Sequence, residues 1–515
     1  MRHLVLHDVD GIQSYIFATN RLQEIRGASS LIDHLNRELT RECAGDKDSL
    51  IYSNGGSAAA DFSDEDQARK FCWEVAALYR DQTHTTSSTG VVQEYNDTVK
   101  GGFGAGLAKA QQRLRQAKES SSWATQLLSS PFFKRCQSCA AAPAVTQTSN
   151  EPVEAVCQSC ATKRAYPRQP RIHREIRQGL AEIDPKPFRF PRELDEIALM
   201  ASPRSYLGVI YADGNRIGDL LLRLQDPDAL RRFSEMVDNA VTASVVDAVK
   251  NRFAGIFLQR SVEGIIGDQP VLPLVAPLCG GDDLVLITRG EDAYGLALDY
   301  LAQFESQVRS ALDHPDLQSV KEMIDKDWLS ACAGVVIAKG HTPLSDLMAL
   351  ATDLCHSAKR RSYQELQADP AGPEVSCIDF QVITTPRWGN LGSVRSGPEY
   401  VLREDTTLTA RPYTLQEGRE LQQAVGELKE VNFPNGKLHD LYRSLRTGIA
   451  QAQLDYLTMY LRARQSEDMN QKKALSRVEK LLAATPTEAP WEVRGVADRT
   501  TRYGDLTEIY SFVPA

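Results

Sequence analysis

Two stretches of this 515-residue chain predict the same order of secondary-structure elements, and this repetition constrains the fold most. The first begins with the apolar run HLVLHDV, continues through helical spacing and a hairpin carrying Gly55-Gly56, and ends near TSSTGVVQEY. The second begins at Tyr206 with YLGVIYADGN and repeats that order, with Gly280-Gly281 at the corresponding hairpin. The order βαββαβ is typical of a ferredoxin-like unit. We therefore predict an α+β fold with two ferredoxin-like units.

The hairpin of the second unit carries the most specific motif, Gly280-Gly281-Asp282-Asp283, between the apolar runs APLC and LVLIT. Adjacent carboxylates repel each other, so this pair is costly at a hairpin tip unless cations bind there. Asp213 ends the first strand of the unit, which lies beside the hairpin in a βαββ sheet. Mg²⁺ or Mn²⁺ suits such oxygen ligands, and two ions would activate a ribose hydroxyl and stabilise a leaving pyrophosphate. The alternative is a plain surface turn, since Gly and Asp favour turns.

The first unit lacks this set of carboxylates. Asp8 and Asp10 lie at the end of its first strand, but the residues after its hairpin glycines are Ser57 and Ala58. We therefore expect the first unit to have a structural or nucleotide-binding role and not to hold catalytic metal ions.

Four cysteines form two close pairs, and 17 residues separate the pairs. The motifs are Cys136-x-x-Cys139 and Cys157-x-x-Cys160. This spacing is typical of a four-cysteine zinc site, and four thiolates leave no open position, so a structural Zn²⁺ is predicted. Two redox-active pairs are the alternative, although the strand-then-helix setting of a thioredoxin-like motif is missing.

The chain as a whole divides into four predicted parts. These are a first, degenerate palm-type unit over 1–130, a zinc-binding and linker segment over 131–205, a second unit with the GGDD motif over 206–385, and a helical domain over 386–515. No apolar run approaches the roughly 18–20 residues of a membrane helix, and no run of signal-peptide length begins the chain. We therefore expect a cytoplasmic protein without a membrane partner.

The net charge of −9 conceals one basic stretch, because residues 161–192 contain nine Lys and Arg against three Asp and Glu. A solvated linker and a contact with RNA or an acidic partner surface are both open interpretations. Lys339 follows a strand of the second unit, and Lys359 lies near the end of a helix. Both cations are able to reach triphosphate oxygens, although a cation near a helix C-terminus is also favourable by itself.

Taken in order, these motifs resemble the large polymerase-cyclase subunit of type III CRISPR effector complexes, the Cmr/Csm large-subunit family. The resemblance rests on the paired CxxC motifs and on four segments, namely DVDGIQSYIFATNRLQEIRGASSLID, YADGNRIGDLL, CGGDDLVLI and AGVVIAKGHTPLSDLMALATDLCHSAKR. The GGDD motif alone is less specific, because diguanylate cyclases carry a related GG(D/E)EF hairpin. In this family the ferredoxin-like units are called palm domains.

The resemblance implies an activity in antiviral defence. ATP would be converted into cyclic oligoadenylates when target RNA binds the complex, with attack of one 3′-hydroxyl on another α-phosphorus and release of pyrophosphate. The implied metal ligands are Asp213, Asp282 and Asp283. The implied substrate contacts are Gly214, Gly280, Gly281, Lys339 and Lys359. The implied partners are guide and target RNA, other effector-complex subunits, and a separate effector protein that binds the cyclic product.

One departure from the family concerns its His-Asp nuclease domain. Many members begin with such a domain, whereas the first palm motif here starts at residue 3, so we expect no attached nuclease. The dipeptides His7-Asp8 and His439-Asp440 lack further ligands around them and are interpreted as structural.

Two other functions remain open from the sequence. The chain could serve as a non-catalytic scaffold that holds RNA-binding subunits, although the intact GGDD motif favours catalysis. It could also be a cyclase that makes a different cyclic nucleotide, because the side chains that select the base cannot be located from spacing.

Overall fold

The computed structural model describes twelve stretches of the chain, to which all structural statements refer: 1–46, 48–120, 133–149, 152–167, 169–183, 187–254, 270–370, 372–384, 391–465, 469–482, 489–494 and 498–514. The predicted boundaries at 130 and 385 fall outside these residues.

The first palm is a four-stranded antiparallel sheet in the order β2-β3-β1-β4, covered by helices. Its strands are β1 (Arg2–Val9), β2 (Leu50–Asn54), β3 (Ser57–Phe62) and β4 (Ser88–Tyr95). Its helices are α1 (Ile12–Ile16), α2 (Leu22–His34), α3 (Thr40–Ala44), α4 (Glu65–Thr83) and α5 (Gly102–Ser120), with a π-helical turn over Leu35–Leu39.

The middle segment contains short elements, as its prolines predict. These are β5 (Thr146–Gln147), β6 (Ala155–Val156), α6 (Gln158–Ala165), α7 (Arg171–Ala181) and α8 (Leu194–Met200). The two strands pair with each other, and the four cysteines gather in a small cluster beside them.

The second palm repeats the sheet order of the first and extends it by two strands, as β14-β11-β10-β7-β9-β8, where β14 (Tyr413–Thr414) comes from the C-terminal region. Its strands are β7 (Tyr206–Gly214), β8 (Leu274–Gly280), β9 (Asp283–Arg289), β10 (Ala331–Lys339) and β11 (Cys377–Ile383). Its helices are α9 (Ile217–Leu221), α10 (Pro227–Phe253), α11 (Gly290–Leu312), α12 (Gln318–Ile324) and α13 (Leu344–Ala368), with a 3₁₀ turn over Pro315–Leu317.

Side-chain alternation along β7 decides which helix packs on which face of this sheet. Ile210 and Ala212 lie in one apolar cluster with α10 and α11, and Val209 and Tyr211 lie in another with α13. Asp213 has the same parity as Tyr211, so it lies on the face that α13 covers.

The C-terminal region is mainly helical but also contains strands that were not predicted. Its helices are α14 (Leu391–Arg395), α15 (Leu415–Glu430), α16 (Asn435–Leu445), α17 (Ile449–Gln465), α18 (Met469–Leu481) and α19 (Tyr503–Ile509), with a 3₁₀ turn over Tyr510–Phe512. Its strands are β12 (Val401–Arg403), β13 (Thr406–Thr407), β14 (Tyr413–Thr414), β15 (Glu492–Arg494) and β16 (Asp498–Thr500). β14 joins the palm sheet, and the other four form a small sheet of their own.

The α+β class, with two palms and a mainly helical C-terminal region, is therefore confirmed. Among the described residues, no helix combines the length and the apolar composition that crossing a membrane requires.

Candidate active site and cysteine cluster

The three predicted carboxylates lie at one edge of the second palm sheet. β7 pairs with β9 in a register that places Ala212 opposite Leu284, and the β8–β9 hairpin pairs Gly280 with Asp283. Asp213 at the end of β7 therefore lies beside the hairpin tip. We call Asp213, Asp282 and Asp283 the carboxylate site.

Lys359 on α13 is the cation of this site. Its Nζ donates to Asp213 Oδ2 at 2.6 Å and to the Gly214 carbonyl at 2.9 Å. Lys359 therefore neutralises one carboxylate and also holds the backbone oxygen of Gly214, an implied substrate contact. This geometry does not test the predicted contact between Lys359 and a triphosphate. It does place Lys359 beside Asp213, next to the hairpin.

The other two carboxylates are half-buried and have fewer compensating partners than Asp213. Burial, with the charges of Asp213 and Asp283 next, raises the pKa of Asp282 well above its ordinary value. Burial and the charge of Asp213 raise the pKa of Asp283 to about 6, although the Tyr211 hydroxyl donates to its Oδ1 at 2.7 Å. Burial and the neighbouring negative charge therefore favour the protonated form of these two carboxyls unless a cation binds beside them.

This donor set fits a divalent cation in chemistry, because carboxylate and carbonyl oxygens are hard ligands. The three aspartates are not a closed cage, however. Among the described residues, the set of three or more metal-ligating side chains with all ligand atoms within 4.8 Å of one another is the four cysteines. Ion binding at the carboxylate site would therefore draw the aspartate oxygens together and compete with Lys359 for Asp213.

Two glycines at the carboxylate site are required by geometry, one in the hairpin and one at the end of β7. Gly281 has φ +62°, a backbone conformation that residues with a side chain rarely adopt. A Cβ on Gly214 would lie 3.1 Å from Asp282 Cβ and 2.7 Å from Ile217 Cγ1, so Gly214 allows the hairpin to approach β7.

Lys339 lies far from the carboxylate site, so the structure gives no support to a triphosphate contact of this lysine there. β10 runs antiparallel to β7, so that Cys332 pairs with Asp213 whereas Lys339 pairs with Tyr206. Seven residues of strand correspond to about 23 Å. The Lys339 ammonium instead lies 3.9 Å from the centre of the Tyr206 ring.

The first palm has its own aspartate and lysine at the corresponding places. Asp10 accepts hydrogen bonds from Ser87 at 2.6 Å and from Thr89 at 2.9 Å, and Lys118 lies 3.7 Å from it and also contacts Asp8. Lys118 and Lys359 both lie on the helix after the fourth strand of their palm. Sequence reasoning missed Lys118, although the repeat of the two palms could have identified it as the counterpart of Lys359.

The four cysteines form the predicted cluster, with Cys139 Sγ 3.8 Å from Cys157 Sγ. Cys157 also caps the N-terminus of α6, where its sulfur accepts the backbone N–H of Cys160 at 3.4 Å. This group could bind zinc, and its four sulfur atoms would complete a tetrahedral shell.

Glu24, fully buried on α2, connects both cysteine pairs to the first palm. Ser138, inside the first pair, donates to both Glu24 oxygens at 2.7 Å, and Arg164, just after the second pair, donates at 2.5 Å. A Cβ on Gly27 would lie 1.8 Å from the Lys163 carbonyl, so α2 and α6 pack backbone against backbone. No sequence pattern identified Glu24.

Much of the basic stretch over 161–192 is used inside the protein. Lys163 is buried and donates to the Tyr15 carbonyl at 2.5 Å, Arg171 pairs with Asp238 at 3.3 Å, and Arg189 pairs with Glu196 at 2.8 Å. These contacts do not distinguish a solvated linker from a surface that binds RNA or an acidic partner. Contact with RNA stays a prediction.

The His-Asp dipeptides remain outside any such site. His7 is buried and lies 3.1 Å from the Ser88 hydroxyl, and burial lowers its pKa to about 4. His439 and Asp440 are exposed on α16.

Comparison with known proteins identifies the second palm. Residues 206–366 match the family model described as Cas10/Cmr2, second palm domain. No curated protein matches the sequence.

Solved structures share the fold of the whole chain. A chain of the Csm1–Csm4 cassette in complex with cA4 matches with a TM-score of 0.54 and 14% identity, over 100% of this chain and 70% of that chain. Csm1 in T. onnurineus matches with a TM-score of 0.52 and 14% identity, over the same shares. The Csm1–Csm4 subcomplex of the type III-A CRISPR-Csm interference complex matches with a TM-score of 0.54 and 13% identity, over 99% and 70%. The resemblance to the large subunit of type III CRISPR complexes is confirmed.

Proposed function

We propose that this chain is a nucleotidyltransferase that makes cyclic oligoadenylates from ATP at the carboxylate site, within an RNA-guided antiviral complex. The observation that carries the proposal is the convergence of Asp213 and the Asp282-Asp283 pair at one sheet edge, inside a Cas10/Cmr2 second palm. Related folds were solved with cA4, with pppApA and with one ATP, which are ligands of the kind the proposal requires.

The chemistry assigns separate tasks to the residues. Asp213, Asp282 and Asp283 would hold Mg²⁺ or Mn²⁺, which supplies positive charge to a reacting 3′-oxygen and to a leaving pyrophosphate. The bond from the 3′-oxygen to the α-phosphorus forms as the bond from that phosphorus to pyrophosphate breaks, and the hydroxyl proton passes to solvent or a carboxylate. Lys359 would turn from Asp213 toward the triphosphate once a cation neutralises the carboxylates.

The direct test is incubation of the full chain, with its complex and target RNA, with ATP and Mn²⁺, followed by mass analysis of the products. Cyclic adenylates with 3′–5′ links are expected. A cyclic product from another nucleotide in a labelled panel would instead support the alternative cyclase. Assembly of the complex without any nucleotide turnover would support the scaffold role.

Lys359→Met is expected to move metal and nucleotide binding in opposite directions. Asp213 and the Gly214 carbonyl lose a competing ammonium, so Mn²⁺ should bind more tightly at pH 8. The KM for ATP should rise about 10- to 100-fold, which corresponds to the loss of one hydrogen bond to a charged group. Lys339→Met is the matched control, because it removes a distant lysine of the same palm and should change neither quantity. An unchanged KM for ATP in Lys359→Met would argue against the triphosphate contact.

Metal binding should weaken below about pH 6. Protons and metal ions compete for Asp282 and Asp283, whose pKa values are raised, so each displaced proton costs about tenfold in affinity per pH unit below its pKa. A carboxyl with a raised pKa in the folded state stabilises the metal-free protein at low pH, and this contribution is lost as the pH rises through about 6. The thermal shift caused by Mn²⁺ should therefore be larger at pH 7.5 than at pH 5.5. Equal shifts at both pH values would show that these carboxylates do not bind the ion.

A further inference from the structure

The hairpin tips of the two palms touch each other, backbone against backbone. A Cβ on Gly55 would lie 2.8 Å from Gly281 Cα and 2.9 Å from the Gly280 carbonyl oxygen. Gly55 and Gly281 both have positive φ, +58° and +62°. The residue before Asp282 is therefore in direct contact with the first palm, and a shift between the palms must move the hairpin or break this contact.

Asp238 on α10 binds the same point of the hairpin. Its buried carboxylate accepts the backbone N–H of Gly281 at 3.2 Å. The same carboxylate accepts two hydrogen bonds from Arg37 of the first palm, at 2.7 and 3.0 Å. Arg171, on α7 of the middle segment, donates to it at 3.3 Å. One carboxylate thus connects the hairpin of the second palm to both preceding parts of the chain.

Arg37 is itself held in place within the first palm. It lies in the π-helical turn over Leu35–Leu39, a feature frequent at functional sites, and its Nε donates to Asp33 at 2.7 Å. A second polar contact runs parallel to it, because Asn54, at the end of β2, donates to Ser234 Oγ on α10 at 3.1 Å. The first palm therefore contacts α10 at Ser234 and at Asp238, which are one helical turn apart.

We infer that Asp238 is a positioning residue that couples the placement of the first palm, through Arg37 and the Gly281 N–H, to the geometry of Asp282 and Asp283. This inference rests on the proposed function for its consequence, since the hairpin matters only if its carboxylates bind metal. The degenerate first palm then has a defined task. It sets the position of the catalytic hairpin through the contact between Arg37 and Asp238. A partner that moves the first palm would strain this contact.

The sharpest variant is Arg37→Met, because it lies outside the second palm and touches no metal-binding residue. Arg2→Met is the matched control, since Arg2 also donates from the first palm to a buried aspartate, Asp61, at 2.7 Å but lies away from the palm contact. Two quantities are measured on the full chain: Mn²⁺ affinity by electron paramagnetic resonance, and deuterium uptake of the peptide that covers 278–284.

Arg37→Met is expected to weaken Mn²⁺ binding about 10- to 100-fold, as loss of an indirect support of metal ligands typically does. It should also speed exchange over 278–284, while Arg2→Met changes neither. Asp238→Asn serves as a second variant: it keeps an oxygen for the Gly281 N–H but weakens the bond to Arg37, so its effect should be smaller than that of Asp238→Ala.

The outcomes separate the two proposals. Faster hairpin exchange in Arg37→Met, in a protein whose wild type binds no Mn²⁺, would overturn the proposed metal site and support the coupling. Unchanged exchange and unchanged Mn²⁺ affinity in both Arg37→Met and Asp238→Ala would overturn the coupling, whatever the wild type binds.

Discussion

Replacement of Asp282 and Asp283 together by asparagine is expected to lower the rate of nucleotidyl transfer by at least about 10³-fold. Metal ions contribute several kcal/mol to the stabilisation of such a transition state, and each 1.4 kcal/mol corresponds to about tenfold in rate. Asparagine keeps the size of the side chain and an oxygen that the Tyr211 hydroxyl reaches in the wild type. The loss of activity should therefore come from the ligands and not from a misfolded hairpin.

The same variant should be more stable than the metal-free wild type at pH 7.5. Burial and the charge of Asp213 raise the pKa of both carboxyls, so removing their charge relieves a cost that the folded state carries. Activity and melting temperature should thus move in opposite directions, which a merely structural role would not produce. Asp346→Asn/Asp353→Asn, which removes two exposed carboxylates from α13, is the control and should leave the rate unchanged. A double variant at the hairpin that retains full activity would contradict the proposed mechanism.

Replacement of Cys157 and Cys160 by serine is expected to remove zinc from the protein and to destabilise the contact between the middle segment and the first palm. A structural zinc site contributes folding free energy directly, on the order of 10 kcal/mol in small zinc-binding peptides. Without it, Ser138 and Arg164 are no longer held against Glu24, whose buried carboxylate would lose both partners. An unpaired buried charge is strongly destabilising, so the melting temperature of the whole chain should fall, not only the order of the segment.

The measurement is zinc content by elemental analysis together with thermal unfolding and limited proteolysis between residues 136 and 165. About one zinc ion per chain is expected in the wild type and none in the variant. Cys43→Ser/Cys72→Ser is the matched control, because it makes the same chemical change at two cysteines outside the cluster. A wild-type chain without zinc, or a cysteine variant as stable as the control, would contradict a structural zinc site.

Several features of the fold and of the candidate site could be predicted because their signals are local. The paired palms followed from apolar runs and hairpin glycines in a repeated order. The four cysteines followed from two short spacings, and Asp213 with the hairpin aspartates followed from the rule that the first strand of a βαββ sheet lies beside the hairpin. The spacing did not show that Lys339 lies far from the carboxylate site, because the end of an antiparallel neighbouring strand lies beside the start of β7.

Several pairings were beyond sequence reasoning because the two partners are far apart along the chain. Glu24 and Ser138 are 114 residues apart, Lys359 and Asp213 are 146 apart, and Arg37 and Asp238 are 201 apart. A hydrogen bond forms only within about 3 Å and near one direction, so packing of whole helices decides which charged groups meet.

By itself, therefore, the amino-acid sequence determined the two palms, the cysteine cluster and the three carboxylates, since each depends on residues a few positions apart or on one strand pairing. Only the tertiary structure decided how those carboxylates are compensated, by Lys359 on Asp213 and by Tyr211 on Asp283, and how Asp238 holds the backbone of the hairpin. The physical reason is that charge compensation in a buried site requires contact distances, and these arise from the packing of helices onto sheets and of one palm against the other.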